Sequence, residues 1–396
     1  MNRELLATKA ALTILLMLLG ALSACGGGSN GSNTNGGGSN NGGGSLPPGT
    51  ELLYAGDIVG NVHAFSVDSN TGALTSLSST LVTNSAAAGD VQLAADPSGA
   101  ALYATSAGTG GPNVVAFTID SSTGALTAVA ANQTLPVAAG QIVVDPKGKN
   151  AYVIPKPSEN TAQLWGFSID PTTHGLSALP NQPIQLPGIP NDLTVDPSGA
   201  FVYVTFDGTP GDEIAGFSRD LNTGALSVLS GSPFANTGGD SPQGIRVTPD
   251  GKFVIVGNQA TNNVSVLSLA SGTGVLTNVA GSPFASGNAP TPVAIDSTGN
   301  FAFVGNVVDS SLSVYAISAA GALSPVAGTP VMLPVNAGST SIAGDPSNKF
   351  VYIGTVPKAS GVLGFTLDAA SGSLTPISGS PFTAGETLRG IVVVTP

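Results

Sequence analysis

An all-β fold, a seven-bladed β-propeller with four antiparallel strands per blade, is predicted by three observations. The first is composition. The 396 residues include 54 Gly and 29 Pro, and only 9% are charged. A disordered chain would be more polar and more charged, and a helical bundle would need far less Gly and Pro. The second is a repeat of about fifty residues from Glu51 onward. A turn of the D-P-S-G type follows an apolar run at Asp96, Asp145, Asp196, Thr248, Asp296 and Asp345, at spacings of 49, 51, 52, 48 and 49. Val394-Thr395-Pro396 reads as the seventh copy, aligned on Val247-Thr248-Pro249. The third is the phase of the ends. The repeats start in a second strand, Leu52-Leu53-Tyr54, and finish in a first strand, Ile391 to Val394. The two ends therefore complete one blade and close a ring, whereas a solenoid would need capping repeats.

Each element follows from local chemistry. Strand A is the apolar run before the turn, such as Ile142-Val143-Val144. In the turn, Pro fixes φ, Asp bonds its own backbone and Gly accepts positive φ. Strand B carries Tyr54, Tyr103, Tyr152, Tyr203, Ile255, Phe303 and Tyr352. Strand C carries Phe65, Phe117, Phe167, Phe217, Leu267, Tyr315 and Phe365. Strand D opens at a T-G-A-L turn ending in Leu74, Leu126, Leu176, Leu226, Leu276, Leu323 and Leu374. Four short strands per repeat of this length are the signature of a propeller blade.

The domain boundaries read 1–24, 25–50 and 51–396. Arg3 and Lys9 precede an apolar stretch from Ala10 to Leu22, too short to span a bilayer of about 30 Å as a helix. Leu22-Ser23-Ala24-Cys25 resembles the bacterial lipoprotein box, and Cys25 is the single cysteine. The resemblance implies cleavage before Cys25, lipid on its sulfur and, with Gly26 rather than Asp next, an outer-membrane address in a cell that has one. Residues 26–45 are Gly, Ser and Asn with one Thr, a flexible tether with an r.m.s. reach of roughly 25 Å. The expected partner is thus the membrane, through the lipid, with an envelope protein or glycan as a further one. A formal charge of −12 excludes nucleic acid. No cofactor is expected, and the chain is expected to be a monomer.

The blade core from Val195 to Gly224, with Tyr203-Val204-Thr205 within it, resembles the bacterial propeller lactonases of the 6-phosphogluconolactonase and muconate-cyclising type and the wider YVTN group. The resemblance spans 51–396 and implies the propeller and lactone chemistry. The family's Arg-His run before one strand A has no counterpart at any of the seven matching positions, and Asn258-Gln259 stands where the family has Asn-Glu. The expected function is therefore a binding or interaction module with a degenerate lactonase site. The alternative is a lactone hydrolase or cycloisomerase acting on a sugar-acid lactone.

Candidate site residues come from strand alternation in the channel. Four places before the turn stand Gln92, Gln141, Asp192, Gly244, Pro292, Ser341 and Ile391; two places before it, Arg246 is the one charged residue. Arg246 is expected to pair with Asp192 on the preceding blade. In the functional reading it anchors an anion, with Gln92, Gln141 and Arg389 orienting the ligand. Asp240 and Glu213 are further acid–base candidates. Asp207, Asp212 and Glu213 form a weak Ca²⁺ candidate without EF-hand spacing. His63 is expected between blades, and His174 in a C–D turn on the opposite face.

Overall fold

The computed structural model describes residues 45–82, 89–108, 113–208, 213–334, 337–356 and 361–396. Residues 1–44, with Cys25 and the tether, lie outside them. The strands form seven antiparallel sheets of four main strands each. The inner strands are Leu388–Val394, Val91–Ala95, Ala139–Val144, Ile189–Val195, Pro242–Val247, Pro290–Ile295 and Ser339–Gly344, which head blades 1 to 7 in that order. Blade 1 closes the ring: Leu52–Asp57 pairs on one side with Leu388–Val394 and on the other with Asn61–Val67. The compact body runs from Ser45 to Pro396, holds every described strand of the closed ring and has its own hydrophobic cores, as a domain that folds by itself does. It starts six residues before Glu51, because Leu46 donates its N–H to Ser122 O at 2.6 Å and packs between blades 1 and 2.

The outer strand differs from the single strand D expected from the repeat. In blades 3 to 7 it breaks at a cis X–Pro bond, at Pro183, Pro233, Pro283, Pro330 and Pro381. Three residues pair with the lower half of strand C. The Ile, Phe or Val after the proline then returns to its upper half, as Phe234 does opposite Ile214. Phe234 is buried among side chains of blades 4 and 5.

Tyrosines fasten four of the blades to the next. Tyr54, Tyr152, Tyr203 and Tyr352 donate their hydroxyls to Gly124 O, Gly224 O, Gly274 O and Gly72 O at 3.0, 2.6, 2.7 and 2.8 Å. Each glycine sits in the C–D turn of the following blade. The position demands glycine: at Gly274, with φ +72°, a Cβ would lie 2.5 Å from the Phe201 ring. Between blades 2 and 3 His174 takes that place at φ 58°, Ala101 replaces the phenylalanine, and the buried Tyr103 hydroxyl has no partner.

One blade contact is a fully buried ion pair. Arg219 ends strand C of blade 4, where the other blades carry Val67, Ile119, Ile169, Leu269, Ile317 and Leu367. Its Nη2 lies 3.1 Å from Asp145 Oδ2 in the turn of blade 3, and both side chains are fully buried. It also donates to Tyr152 Oη, Asn150 Oδ1 and Gly199 O.

Candidate functional site

The upper ends of the inner strands surround a polar cavity of about 130 Å³ on the axis. Alternation alone would turn one residue per strand into it. In six blades a bulge breaks the register near the top of the inner strand, as between Pro190 and Asp192 or Pro242 and Gly244. A bulge re-aims side chains. The wall therefore gains Asn191, Gln243, Thr291 and Thr340, five places before the turn, beside Gln92, Gln141, Asp192 and Ser341. Strict alternation hides these four. The prolines Pro190, Pro242 and Pro290, each six places before its turn, are the sequence signal of the interrupted ladder.

The closing strand is one residue out of the register expected from Val394-Thr395-Pro396. Tyr54 faces Val392, as Tyr203 faces Thr194. Gly390, not Ile391, is therefore the equivalent of Asp192. Arg389 falls on the bulge, in line with Asn191 and Gln243, and lies on the cavity wall. The chain ends before a full turn could mark the register.

Asp192 and Arg246 form an ion pair, Nη1 to Oδ2 at 2.7 Å. Asp192 also holds backbone: Oδ1 accepts the N–H of Leu193 at 2.8 Å, and Oδ2 accepts that of Ile245 at 3.1 Å. Its side chain is 8% exposed against 41% for Arg246. The carboxylate pins blade 4 to blade 5, while the guanidinium, tied through Nη1 to Asp192 and Ile245 O, stands half in the cavity. At the rim Asp90 bridges two cations, Lys156 at 2.6 Å and Arg389 at 3.3 Å. Burial pushes the Asp90 carboxyl up, but Arg389 and Lys156 outweigh it and hold it below the usual carboxylate range. Arg389 makes its contact with Asp90 through its buried Nε, and among the described residues the buried Oγ of Ser341 has no hydrogen-bond partner.

Other candidates fall elsewhere. Glu213 lies on strand C of blade 4, facing Phe206 and Ala235, two strands out from the axis and off the cavity wall. Asp240 is exposed ahead of the inner strand of blade 5 and does not line the cavity either. Asn191 Nδ2 donates to Asp207 Oδ1 at 2.9 Å; Asp212 of the same loop lies outside the described residues. Asn258, in the column of the family's Asn-Glu, is buried in a structural net with Asn236, Asn263 and Ser265. His63 lies beside Gly385, on the connection from blade 7 to blade 1. It is 18% exposed and bonds through Nε2 to Asp57 Oδ2 at 3.0 Å, because Asp57 ends strand B two residues past His63's cross-strand partner Ala55. Burial pushes the Asp57 carboxyl up, and bonds from His63, Asn61 and Val59 reverse the shift and hold it low. His174 lies on the opposite face, as expected, beside a shallow hollow bounded by Asp96, Lys147 and Pro171.

The arrangement offers two guanidinium groups, four amides and three hydroxyls around a small axial cavity. It suits a small anion bearing hydroxyls. Among the described residues one carboxylate lines it, Asp192, which accepts three hydrogen bonds, and no histidine does.

Known proteins share this fold. The family model for lactonases with a seven-bladed β-propeller matches residues 92–290. A Bacteroides uniformis protein provisionally assigned as a 6-phosphogluconolactonase has a similar structure, with TM-score 0.73 at 14% identity, covering 87% of this chain and 100% of its own. The periplasmic gluconolactonase of Pseudomonas aeruginosa gives TM-score 0.72 at 15% identity, covering 87% and 99%. No curated protein matches the chain by sequence.

Proposed function

Because the chain belongs to the seven-bladed β-propeller lactonase family, we propose that it binds a small hydroxylated carboxylate, free or at the end of an envelope glycan, without hydrolysing a lactone. One observation carries this reading. The one carboxylate on the cavity wall among the described residues, Asp192, accepts two backbone N–H groups and Arg246 and is only 8% exposed, so the groups that face a ligand are binding groups. Arg246 anchors the ligand carboxylate, and Arg389 and the amides orient its hydroxyls. The name of the Pseudomonas relative supports a sugar-acid ligand. It equally supports the second reading, a hydrolase in which Arg246 stabilises the oxyanion of the opening lactone.

Calorimetric titration of the Ser45–Pro396 unit with D-gluconate, beside a pH-stat assay on D-glucono-δ-lactone, separates the two. The expected result is saturable gluconate binding that weakens at least tenfold in Arg246→Gln, and lactone opening no faster than in buffer. Hydrolysis by the parent protein that disappears in Arg246→Gln would replace the binding reading with the hydrolase. Neither binding nor turnover would refute both.

The protein works, in this proposal, from a lipid on Cys25 outside the cytoplasm. The lipobox-like Leu22 to Cys25 and the tether support it, and so does the periplasmic setting named for the Pseudomonas relative. In fractionated cells Cys25→Ser is expected to move the protein from the membrane to the soluble fraction. A processed mutant that stays with the membrane would refute lipid anchoring.

A further inference from the structure

Edge strands expose unpaired N–H and C=O groups, and proteins blunt them with prolines, charges or breaks. Blades 3 to 7 do so with the cis-proline break. In blade 2 the outer strand stops after Leu126–Ala128, and Gln133 returns to pair with Val114. Blade 1 differs. Its outer strand, Leu74–Leu81, runs eight residues against three in each other blade, and no strand pairs with its outer side among the described residues. The segment L-T-S-L-S-S-T-L has no charge and no proline.

The edge is also self-complementary. Phe65 faces Ser76 and Ala64 faces Ser78, so Leu77 is bulged out of the ladder and packs inward between blades 1 and 2. The residues left in the ladder read Leu74, Thr75, Ser76, Ser78, Ser79, Thr80, Leu81, the same in either direction. An antiparallel copy related by a two-fold axis at Ser78 would set Leu74 opposite Leu81, Thr75 opposite Thr80 and Ser76 opposite Ser79. Apolar and Thr–Thr pairs of this kind stabilise a ladder. A two-fold contact uses one patch twice and closes without growing into a fibre. The net charge of −12 opposes contact over most of the surface, and this strip is free of it.

We propose that Leu74–Leu81 pairs with the same strand of a second copy, joining two propellers edge to edge through one continuous sheet. This replaces the monomer expected from sequence and is independent of the ligand in the channel. Ser78 is exposed and lies on the axis, so Ser78→Lys sets two like charges face to face. Sedimentation equilibrium of Ser45–Pro396, from micromolar to sub-millimolar concentration, should show a dimer whose dissociation constant rises at least tenfold in Ser78→Lys. Mixing Ser78→Lys with Ser78→Glu should restore a mixed dimer, an outcome that misfolding of either variant would not give. A parent protein monomeric throughout, a dimer indifferent to Ser78→Lys, or two variants that fail to pair would each overturn the proposal.

Discussion

Leucine in place of Arg219 is expected to lower stability by about 3–5 kcal/mol, the scale for removing one partner of a buried ion pair. In a domain of this size that is a fall in melting temperature of about 5–10 °C. Leucine fits the site sterically, since the same column holds Leu269 and Leu367 in other blades. The loss arises from what the guanidinium leaves behind: the buried Asp145 carboxylate, Asn150 Oδ1 and Gly199 O. Asp145 keeps three backbone N–H donors, from Lys147, Lys149 and Asn150. Asp196 manages in blade 4 without an arginine, using Ser198, Phe201 and its own turn. Asn150 is the stranded group. Blades 4 to 7 carry Phe201, Phe253, Phe301 and Phe350 in its column. Asn150→Phe together with Arg219→Leu should therefore recover most of the loss by rebuilding the apolar contact of the neighbouring blades. Thermal melts of the four proteins form a double-mutant cycle. A double variant no more stable than the sum of the singles would refute this account of the interface.

Removal of residues 388–396 should have a larger effect still. Leu388, Ile391 and Val394 are buried, and Leu52–Asp57 would lose its ladder partner on one side. At about 1.5–3 kcal/mol for each buried aliphatic side chain, plus the lost ladder, the deficit approaches the 5–15 kcal/mol that a domain has in total. The opened ring would also expose an inner sheet edge and the cores it shared with blades 2 and 7. The truncated protein is expected in the aggregated fraction, with no cooperative unfolding transition. A soluble product that melts like the parent would mean that the terminal strands do not close the ring.

The repeat made the architecture legible because its markers are the residues that turns and blade cores require. Asp and Gly recur at the turns, and Tyr at strand B, where its hydroxyl clasps the next blade. The channel was legible in part. Blade count put Asp192 and Arg246 side by side, and they are. Asn191, Gln243 and Thr340 were hidden because a bulge has no side-chain signature, and period-two counting cannot register an extra residue. Arg389 was named, but its place in the ring was misjudged by one residue. The ionic contact at Arg219 was visible as one odd residue in each of two columns, Arg among aliphatics and Asn among phenylalanines. It is meaningful only when the columns are read as neighbours on adjacent blades.

The point where the chain enters the ring fixes how the ring bears force. Leu46 docks beside Ser122, at the C–D turn of blade 2, on the face opposite the cavity mouth. From there the chain runs into Leu52 at the foot of a strand that is paired on both flanks. A pull through residues 45–50 is directed along that strand, so it loads its hydrogen bonds in shear, many at once, instead of peeling them one by one. Leu388–Val394 is the adjoining strand and carries none of that tension directly. A force applied at residues 45–50 would load the ring without unzipping it, and the cavity mouth lies on the face opposite that entry point.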